Sequence, residues 1–488
     1  MMWLLISLLC VGASALDNRT PMKPPILVSM APPPPPEDQV RSSPTQARSV
    51  VLTQVRMRVD HFNPLSDDQF YQMRYMYNEE FFGGDDYPVF IMVGGEWAIT
   101  DGWLRTGNMY EMAKENKGFM MYTEHRYYGN SMPVPDYSTP NLRYLNVDQA
   151  LADLAYFIGY FKTQRRFANS KFILYGGSYA ANMVIWFKQR YPHLVTGVVA
   201  SSGPIKGEVD FTGYLEVVHK AFQSEGGDQC IDVIRQGVAD TVAAMETEAG
   251  RRTLEQAFRM CGPMNYDNKL DLAYFEAGLI TWAFSGAVQQ ATPGSLRTIC
   301  GYLESDVWGN TPMEKLGGFT AWRNGLSANG CWQLSYEGLL NTYSQPSMSR
   351  AWYYQTCTEY GFYQTAPRSG TAFDPLTLVD VDFYVDVCQK VFDERFNKTF
   401  VYNAVDRVNT VFGGLSPDVN NTINIHGDVD PWHALGRVDR DLKEGSPTYL
   451  INRASHCFDM RQWMPSDTIK MSQVQQEARR IVASWLKE

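Results

Sequence analysis

The sequence has no excess of basic residues, since its 488 residues carry 43 Lys and Arg against 53 Asp and Glu, a net charge of −10. This balance argues against a nucleic-acid partner held through phosphate contacts and against binding to an anionic membrane surface. Beyond its first residues the chain also lacks the ~18 consecutive apolar residues of a membrane span. Its 44% hydrophobic and 13% aromatic residues exclude disorder for most of the chain. We therefore expect a soluble protein of one large domain or two.

Cysteine pairs spaced as CxxC are absent from the eight cysteines of the chain, so zinc and redox motifs have no support and no metal or cofactor is expected. Six of the cysteines lie between 230 and 388. This clustering favours disulfides, which form in exported proteins. Three sequons, at Asn18, Asn397 and Asn420, are typical of an exported glycoprotein.

The N-terminus lacks the Lys or Arg that usually opens a signal peptide, although the α-amino group supplies one positive charge. An apolar run, Trp3–Val11, precedes Ala13-Ser14-Ala15, the small-x-small pattern that signal peptidase accepts. We interpret residues 1–15 as a cleaved signal peptide rather than a buried helix. Residues 16–50, which include a run of five prolines, read as a disordered leader.

Short apolar runs after residue 50 predict buried strands of a parallel sheet. Three of them are Pro88–Val93, Lys171–Tyr175 and Val195–Ala200. Between the first two, Asn146-x-x-Gln149 is typical of the start of an amphipathic helix. Strands that alternate with helices indicate an α/β fold.

The alternation is lost between residues 206 and 408, where longer helical patterns and the clustered cysteines occur. It resumes with Thr422–His426 and Thr448–Asn452, and a last helix is expected from about Ser472. The sequence therefore predicts an α/β domain in two parts, 51–205 and 409–488. A mostly helical, disulfide-bonded insertion, 206–408, separates these parts.

The strongest chemical signal is Leu174-Tyr175-Gly176-Gly177-Ser178-Tyr179-Ala180-Ala181. A strand that turns sharply at a serine and continues as a helix is the nucleophile elbow of the α/β-hydrolase fold. The strained turn lifts the serine hydroxyl above the sheet, and the helix N-terminus supplies N–H groups for an oxyanion. We predict that Ser178 is a catalytic nucleophile. The alternative is an ordinary glycine-rich turn.

A serine nucleophile needs a base and a carboxylate, which follow it in the chain order Ser, acid, His in this fold. The strand Thr422–His426 is followed by Asp428 and Asp430, and either carboxylate fits the acid. His456 lies in the loop after the next strand and fits the base.

Two other late histidines compete with His456. His433 lies only three residues after Asp430 and reads as an exposed or supporting residue. His426 lies at a strand end and reads as a packed side chain.

Several segments carry a family resemblance: Asp60-His61-Phe62, Gly94-Gly95-Glu96, Glu124-His125-Arg126-Tyr127-Tyr128-Gly129, Tyr144-Leu145-x-x-x-Gln149-Ala150-Leu151-x-Asp153, Gly176-Gly177-Ser178-Tyr179, His426-Gly427-x-x-Asp430-Pro431-Trp432 and Ala454-Ser455-His456. In this order, over roughly residues 51–488, they resemble a proline-directed serine exopeptidase family. Its members include lysosomal Pro-X carboxypeptidase, dipeptidyl peptidase II and thymus-specific serine protease, and the resemblance is greatest to the thymus-specific branch.

The resemblance implies a role for individual residues. Ser178 corresponds to the nucleophile, Asp430 to the acid and His456 to the base, and the Asp-Pro-Trp match favours Asp430 over Asp428. The oxyanion donors would be the backbone N–H of Tyr179 and the loop at Gly95. The family's cysteine order implies the disulfides Cys230–Cys300, Cys261–Cys331 and Cys357–Cys388, which leaves Cys457 as a free thiol.

The chain also departs from the family pattern at four positions, Trp97, Ala180, Asn182 and His426. Trp97 replaces a glycine and is expected to narrow the oxyanion loop or the cleft. None of these departures removes a catalytic group, but each is expected to bear on specificity.

The sequence thus predicts a secreted or lysosomal serine exopeptidase that cleaves short peptides after proline. Whether it releases an N-terminal dipeptide or a C-terminal residue stays open, as does a homodimer. Glu96 would hold a substrate amino group or be a structural carboxylate, and Trp432 would wall a proline slot or pack in the core. The alternatives are a lipase or esterase on the same fold and a secreted binding protein whose site has decayed.

Overall fold

Short apolar segments form the strands at the centre of the molecule. The computed structural model describes residues 22, 23, 25–27, 31–35, 37, 50–66 and 69–488. Its strands are β1 (Val51–Arg58), β2 (Phe70–Asn78), β3 (Val89–Val93), β4 (Phe119–Thr123), β5 (Phe172–Gly177), β6 (Gly197–Ser201), β7 (Glu208–Asp210), β8 (Gly361–Tyr363), β9 (Thr422–Gly427) and β10 (Thr448–Ile451). Eight of them form one sheet in the order β1-β2-β4-β3-β5-β6-β9-β10.

The predicted strands become the buried, parallel part of this sheet. β3, β5, β6, β9 and β10 all pair in parallel, and every residue of β3, β5, β6 and β9 is buried. The prediction did not include β1, β2 and β4, of which β1 and β2 pair antiparallel at the edge. β1 and β2 are half-exposed and mix polar and apolar residues, so they lack the continuous apolar signature of a buried strand. β4 is buried throughout and pairs with β3 in parallel, and the prediction missed it.

Helices cover both faces of the sheet and make up most of the insertion. They are α1 (Asn108–Glu115), α2 (Val147–Lys162), α3 (Tyr179–Arg190), α4 (Gly213–Ala244), α5 (Glu248–Ala257), α6 (Lys269–Phe275), α7 (Trp282–Gln289), α8 (Ser295–Glu304), α9 (Pro312–Arg323), α10 (Tyr336–Ser344), α11 (Met348–Gln355), α12 (Val381–Val391), α13 (Lys398–Phe412) and α14 (Ile469–Trp485). The expected cap of α2 is confirmed, because the Asn146 side chain accepts the Gln149 N–H at 3.0 Å.

Side chains of β5 alternate between two apolar cores. Leu174 packs in the core that contains α2 and α3, whereas Ile173 and Tyr175 pack in the core that contains α1 and α14. This is the period of two that a strand imposes. A mostly parallel sheet with helices on both faces, a large helical insertion and the strand–serine–helix turn make this an α/β-hydrolase fold.

Three disulfides tie the insertion together, and they join Cys230 to Cys300, Cys261 to Cys331 and Cys357 to Cys388. These are the pairs that the family resemblance implies. Two features differ from the sequence-based expectation. The short parallel pair β7–β8 lies in the region read as helical. The expected boundary at 408 falls inside α13, which ends before Gly413 in a left-handed conformation at φ 85°.

The described residues of the leader contact the insertion. The predicted signal peptide (1–15) and the sequon at Asn18 lie outside the described residues. Ile26 and Leu27 are buried, which differs from the disorder expected for residues 16–50, and the Met22 N–H donates to the Cys331 carbonyl at 3.3 Å. Apolar side chains in this stretch find apolar partners on the insertion, which the proline-rich composition did not indicate.

The sequons at Asn397 and Asn420 lie on exposed residues, where a glycan can be accommodated. Within the described part of the chain, no helix combines the length and the apolar character that crossing a bilayer requires.

A buried ion pair joins three of the family-like segments beneath the sheet edge. The Arg126 guanidinium donates to both Asp153 carboxylate oxygens at 2.7 and 2.8 Å. The same carboxylate contacts His61 Nε2 at 2.7 Å and accepts the Tyr71 hydroxyl at 2.8 Å. Arg126 and Asp153 are almost fully buried. These segments therefore build a structural support that fastens α2 to β2 and to the loop after β4.

Replacing Asp153 by Asn should destabilise the fold strongly, because it leaves the buried Arg126 charge without its counter-charge. Breaking such a pair costs about 3–5 kcal/mol. Glu248→Gln is the matched control, since its pair with Arg252 is exposed and is worth at most ~0.5 kcal/mol. Thermal and urea unfolding of both variants measure the difference. Equal midpoints for the two variants would contradict this account.

Stability should also depend on pH through Asp153. Burial raises the pKa of this carboxyl, but Arg126 and His61 together lower it by more, to about 2 against an ordinary 3.8. A carboxyl with a depressed pKa in the folded state stabilises the fold above its unfolded pKa and loses that contribution as the pH falls through the folded pKa. The gap in unfolding midpoint between wild type and Asp153→Asn should stay constant from pH 7 to about 5 and shrink only below about 4.

Candidate active site

Ser178 stands at the turn between β5 and α3, in the strained conformation of a nucleophile elbow. Its φ is 59°, a left-handed value that non-glycine residues rarely adopt. A Cβ at Gly176 would come within 2.3 Å of the Ala180 carbonyl oxygen, and one at Gly177 within 2.4 Å of Met460 Sδ. The backbone of the sharp turn therefore requires glycine at 176, whereas a side chain at 177 would displace Met460.

The structure brings Ser178, His456 and Asp430 into one chain of hydrogen bonds. His456 Nε2 lies 2.8 Å from Ser178 Oγ, and His456 Nδ1 lies 2.9 Å from both carboxylate oxygens of Asp430. A carboxylate only accepts hydrogen bonds, so the Nδ1 proton points to Asp430 and Nε2 accepts from the serine hydroxyl. All three residues are buried, which keeps these contacts away from competing water.

The charge of Asp430 stabilises the protonated form of the His456 ring. Burial lowers the pKa of His456, but Asp430 and Cys457 together raise it by more, so that it lies well above the usual value. Burial likewise raises the pKa of Asp430, and the charge and hydrogen bond of His456 bring it below its usual value. Asp430 thus stays ionised and is available to stabilise an imidazolium.

The other candidates for acid and base, Asp428, His433 and His426, have different surroundings. Asp428 is exposed, and its carboxylate accepts the Arg453 backbone N–H at 2.6 Å. His433 Nδ1 lies 3.1 Å from the Gly427 carbonyl oxygen. His426 is buried against Gly436, and burial lowers its pKa to about 3, as for a packed neutral histidine.

Tyr179 and Gly95 follow the carboxyl ends of two strands, β5 and β3, that pair in parallel. Tyr179 is the first residue of α3, so its N–H is one of the unpaired donors of a helix N-terminus. Gly95 follows β3 after Gly94, whose N–H donates to the Thr123 carbonyl at 2.9 Å. The Trp97 ring lies over Gly95 and leaves no room for a Cβ there. The indole N–H of Trp97 donates to the Tyr122 hydroxyl at 2.7 Å, which holds the ring in that place.

The Tyr179 side chain connects α3 to the insertion. Its hydroxyl lies 3.2 Å from His125 Nε2, Gln355 Nε2 and the Tyr360 hydroxyl. Gln355 also accepts the Tyr128 hydroxyl at 2.6 Å. Sequence reasoning missed Gln355, because it ends a helix of the insertion 176 residues from Tyr179 and belongs to none of the recognised motifs.

A cavity of about 270 Å³ adjoins this region. Its lining includes four aromatic residues, one carboxylate and two leader residues: Pro25, Leu27, Glu96, Trp97, Tyr343, Met348, Ser349, Trp352 and Tyr353. The Trp352 ring lies 5.6 Å from the Tyr179 ring, and Glu96 directly follows Gly95. The cavity therefore lies beside the elbow, between the hydrolase core and the insertion.

Trp432 lies in a buried aromatic cluster rather than along this cavity. It packs against the rings of Phe211, Tyr214 and Phe362, and its indole N–H donates to Gln289 at 2.8 Å. Because Trp432 is 1% exposed, this placement favours core packing over a wall of a proline slot.

Asn182 and Ala180, which depart from the family pattern, and the unpaired Cys457 are all packed inside the protein. Asn182 donates to the Pro204 carbonyl at 3.0 Å, and Ala180 is fully buried. Cys457 is a buried free thiol that directly follows His456.

Among the described residues, no group of three or more His, Cys, Asp or Glu side chains is arranged to hold a metal ion.

Comparisons with known proteins identify the family of this chain. The family model described as serine carboxypeptidase S28 matches residues 57–478. The chain is similar to mouse thymus-specific serine protease, with 32% identity over 88% of this chain and 86% of that one. It is similar to a putative serine protease of Caenorhabditis elegans, with 31% identity over 90% and 88% of the two chains. It is also similar to bovine lysosomal Pro-X carboxypeptidase, with 25% identity over 99% and 96%. The match to most of the chain shows that it belongs to the serine carboxypeptidase S28 family and is a serine peptidase.

Proposed function

We propose that this chain is an exported serine exopeptidase that cleaves short peptides after proline, with Ser178 as nucleophile, His456 as base and Asp430 as acid. The observation that carries the proposal is the buried chain of contacts from Ser178 Oγ through the His456 ring to the Asp430 carboxylate, at 2.8 and 2.9 Å. A serine hydroxyl is a poor nucleophile until a base removes its proton. The short contacts of His456 with Ser178 and with Asp430 support these roles.

The reaction follows from these positions. Ser178 Oγ attacks the scissile carbonyl carbon while its proton passes to His456 Nε2. Asp430 stabilises the imidazolium, which then donates the proton to the leaving amine as the C–N bond breaks. Water, deprotonated by His456, hydrolyses the acyl-enzyme and restores Ser178.

The backbone N–H groups of Tyr179 and Gly95 are the proposed oxyanion donors. The tetrahedral intermediate carries its negative charge on the former carbonyl oxygen, and fixed N–H donors stabilise it. The dipole of α3 adds to this effect, since its N-terminus is directed at the same atom.

Support for short, proline-containing substrates comes from two sources. A relative bears the name Pro-X carboxypeptidase, and the insertion covers a nucleophile with no exposed surface. A buried nucleophile admits a chain end more easily than the middle of a folded protein. Export is supported by the three disulfides and by the sequons on exposed residues.

The cavity favours amino-terminal over carboxy-terminal recognition. Its one carboxylate, Glu96, is 7% exposed and lies next to the proposed oxyanion loop. A substrate ammonium there would gain a charge-assisted hydrogen bond and the nearby aromatic faces of Trp97 and Trp352. We therefore propose release of N-terminal dipeptides.

Ser178→Ala should abolish peptidase activity with the fold intact. Without the hydroxyl no acyl-enzyme forms, so kcat on X-Pro peptides should fall by roughly 10⁶-fold. A fluorophosphonate probe should label the wild type and not the variant, and circular dichroism checks the fold. Activity on simple esters with none on X-Pro peptides would point to an esterase. An unlabelled wild type would point to a decayed site.

Asp430→Asn should reduce kcat by roughly 10⁴-fold, because an amide neither fixes the His456 tautomer nor stabilises the imidazolium. Asp428→Asn is the matched control, since an amide oxygen still accepts the Arg453 N–H, and its kcat should stay near wild type. Steady-state kinetics on the same X-Pro peptide compare the two. A larger loss in Asp428→Asn would refute the assignment.

Glu96→Gln should raise KM for peptides with a free N-terminus by roughly 10- to 100-fold, the cost of a hydrogen bond to a charged group. N-acetylated versions of the same peptides should be poor substrates for both enzymes. Glu246→Gln, at an exposed carboxylate of the insertion, is the control. Product analysis by mass spectrometry that finds C-terminal residues instead of dipeptides would rule out the proposed mode.

A further inference from the structure

A buried carboxylate lies in the short helical turn that follows His456. The turn covers Phe458–Met460, and Asp459 at its centre is 3% exposed. The Asp459 carboxylate accepts the hydroxyl of Ser201, the last residue of β6, at 2.5 Å, and the hydroxyl of Tyr175 in β5 at 3.4 Å. Burying a carboxylate costs free energy unless hydrogen bonds satisfy it, and these two hydroxyl groups supply them.

Ser201 contacts the nucleophile segment as well as this turn. Its carbonyl oxygen accepts the Ser178 N–H at 2.8 Å, and its backbone lies opposite Gly177 in the register of β5 and β6. The main chain of Ser201 therefore holds the sharp turn at Ser178, while its side chain holds Asp459, three residues after His456.

Other contacts hold the loop of His456 between β6 and α14. The Cys457 N–H donates to the hydroxyl of Ser202, which follows β6, at 2.9 Å, and Cys457 Sγ lies 3.7 Å from the Ser201 carbonyl oxygen. The Gln475 side chain in α14 donates to the Asp459 carbonyl oxygen at 2.7 Å. The loop is thus fastened on two sides, and the Asp459 carboxylate is its side-chain contact with β6.

The proposed nucleophile and base need such a link, because they follow strands that are not neighbours. Ser178 follows β5 and His456 follows β10, and β6 and β9 lie between these strands in the sheet. No strand-to-strand hydrogen bond therefore joins the two loops directly.

We propose that Ser201 and Asp459 are a pair of positioning residues that set the distance between Ser178 Oγ and His456 Nε2, an inference that rests on the triad proposed above. The Ser201 carbonyl fixes one partner of that contact, and the Ser201 hydroxyl, through Asp459, fixes the loop that carries the other.

Loss of either side chain would free the loop of His456 on the side of β6. The 2.8 Å contact between Ser178 Oγ and His456 Nε2 would then have fewer restraints. Catalysis is sensitive to such changes, since a displacement of about 1 Å can cost about 10²-fold in rate. Neither Ser201 nor Asp459 lines the cavity beside Glu96, so the effect should fall on kcat rather than on KM.

Three variants of the pair test the proposal. Ser201→Ala and Asp459→Ala each remove one partner, and the double variant shows whether the two act as a unit, as contacting residues do when their effects are not additive. Asp459→Asn is the conservative replacement, because an amide still forms a hydrogen bond with the Ser201 hydroxyl.

Ser446→Ala is the matched control for Ser201→Ala. Ser446 is a fully buried serine whose hydroxyl also bridges two segments, accepting the Thr422 N–H at 3.3 Å and donating to the Val419 carbonyl at 3.2 Å. It lies at the opposite end of β9 from the site.

In Ser201→Ala and Asp459→Ala kcat should fall by roughly 10- to 100-fold with little change in KM, and fluorophosphonate labelling should slow in parallel. The double variant should lose no more than the weaker of the two single variants. Asp459→Asn should stay near the wild-type kcat. Ser446→Ala should lose thermal stability but keep the wild-type kcat and labelling rate.

The proposal is overturned if Ser201→Ala keeps the wild-type kcat and labelling rate, if the two losses multiply in the double variant, or if Ser446→Ala loses kcat to the same extent. If Asp459→Ala does not fold, Ser201→Ala and Asp459→Asn decide the question between them, and a loss in Asp459→Asn equal to that in Ser201→Ala would refute the role of the hydrogen bond.

Failure of the triad assignment would appear differently, as activity or labelling that survives in Ser178→Ala. The labelling rate needs no peptide substrate, so it tests Ser201 and Asp459 even if the proposed substrate class is wrong.

Discussion

Ser178, Ser202 and Asp430 follow three neighbouring parallel strands, β5, β6 and β9, and the hydrogen bonds between these strands hold their ends at one edge of the sheet. The register pairs Gly177 with Ser201 and Ser201 with Ile425, so the chain leaves all three strands at nearly the same level. Residues from distant parts of the sequence meet there at fixed spacing. The close contacts at this edge also account for the glycines, because a Cβ at Gly427 would lie 2.1 Å from the Ala454 carbonyl oxygen.

The insertion contributes to the site rather than only covering it. Gln355 and Tyr360 reach the Tyr179 hydroxyl from the last turn of α11 and the turn that follows, and Trp352 brings an aromatic wall to the cavity beside Glu96. The Cys357–Cys388 disulfide ties this part of the insertion to α12. A change in the insertion is therefore expected to reach the first turn of α3 through packed side chains, without any direct contact with the proposed nucleophile.

Several parts of this arrangement could be predicted from single segments. The apolar runs of β3, β5 and β9 indicated a parallel sheet, and Gly176-Gly177-Ser178 indicated the sharp turn. Chain order narrowed the acid to Asp428 or Asp430 and the base to His456. Local pattern could not separate the two aspartates, since both follow the same strand. Only Asp430 lies against the His456 ring, whereas Asp428 is turned towards the Arg453 backbone.

By itself the sequence determined the α/β alternation, the strand–serine–helix turn, the order of the chemical groups and the family. Each of these is a local pattern or a short motif that is read within a few residues. Only the tertiary structure decided that β1 and β2 complete the sheet, that Ile26 and Leu27 pack on the insertion, and that Ser202 and Gln355 touch the residues around the site. The Ser202–Cys457 contact spans 255 residues of sequence. Such contacts depend on how the ends of packed strands and helices meet in space, and no local pattern of residues carries that information.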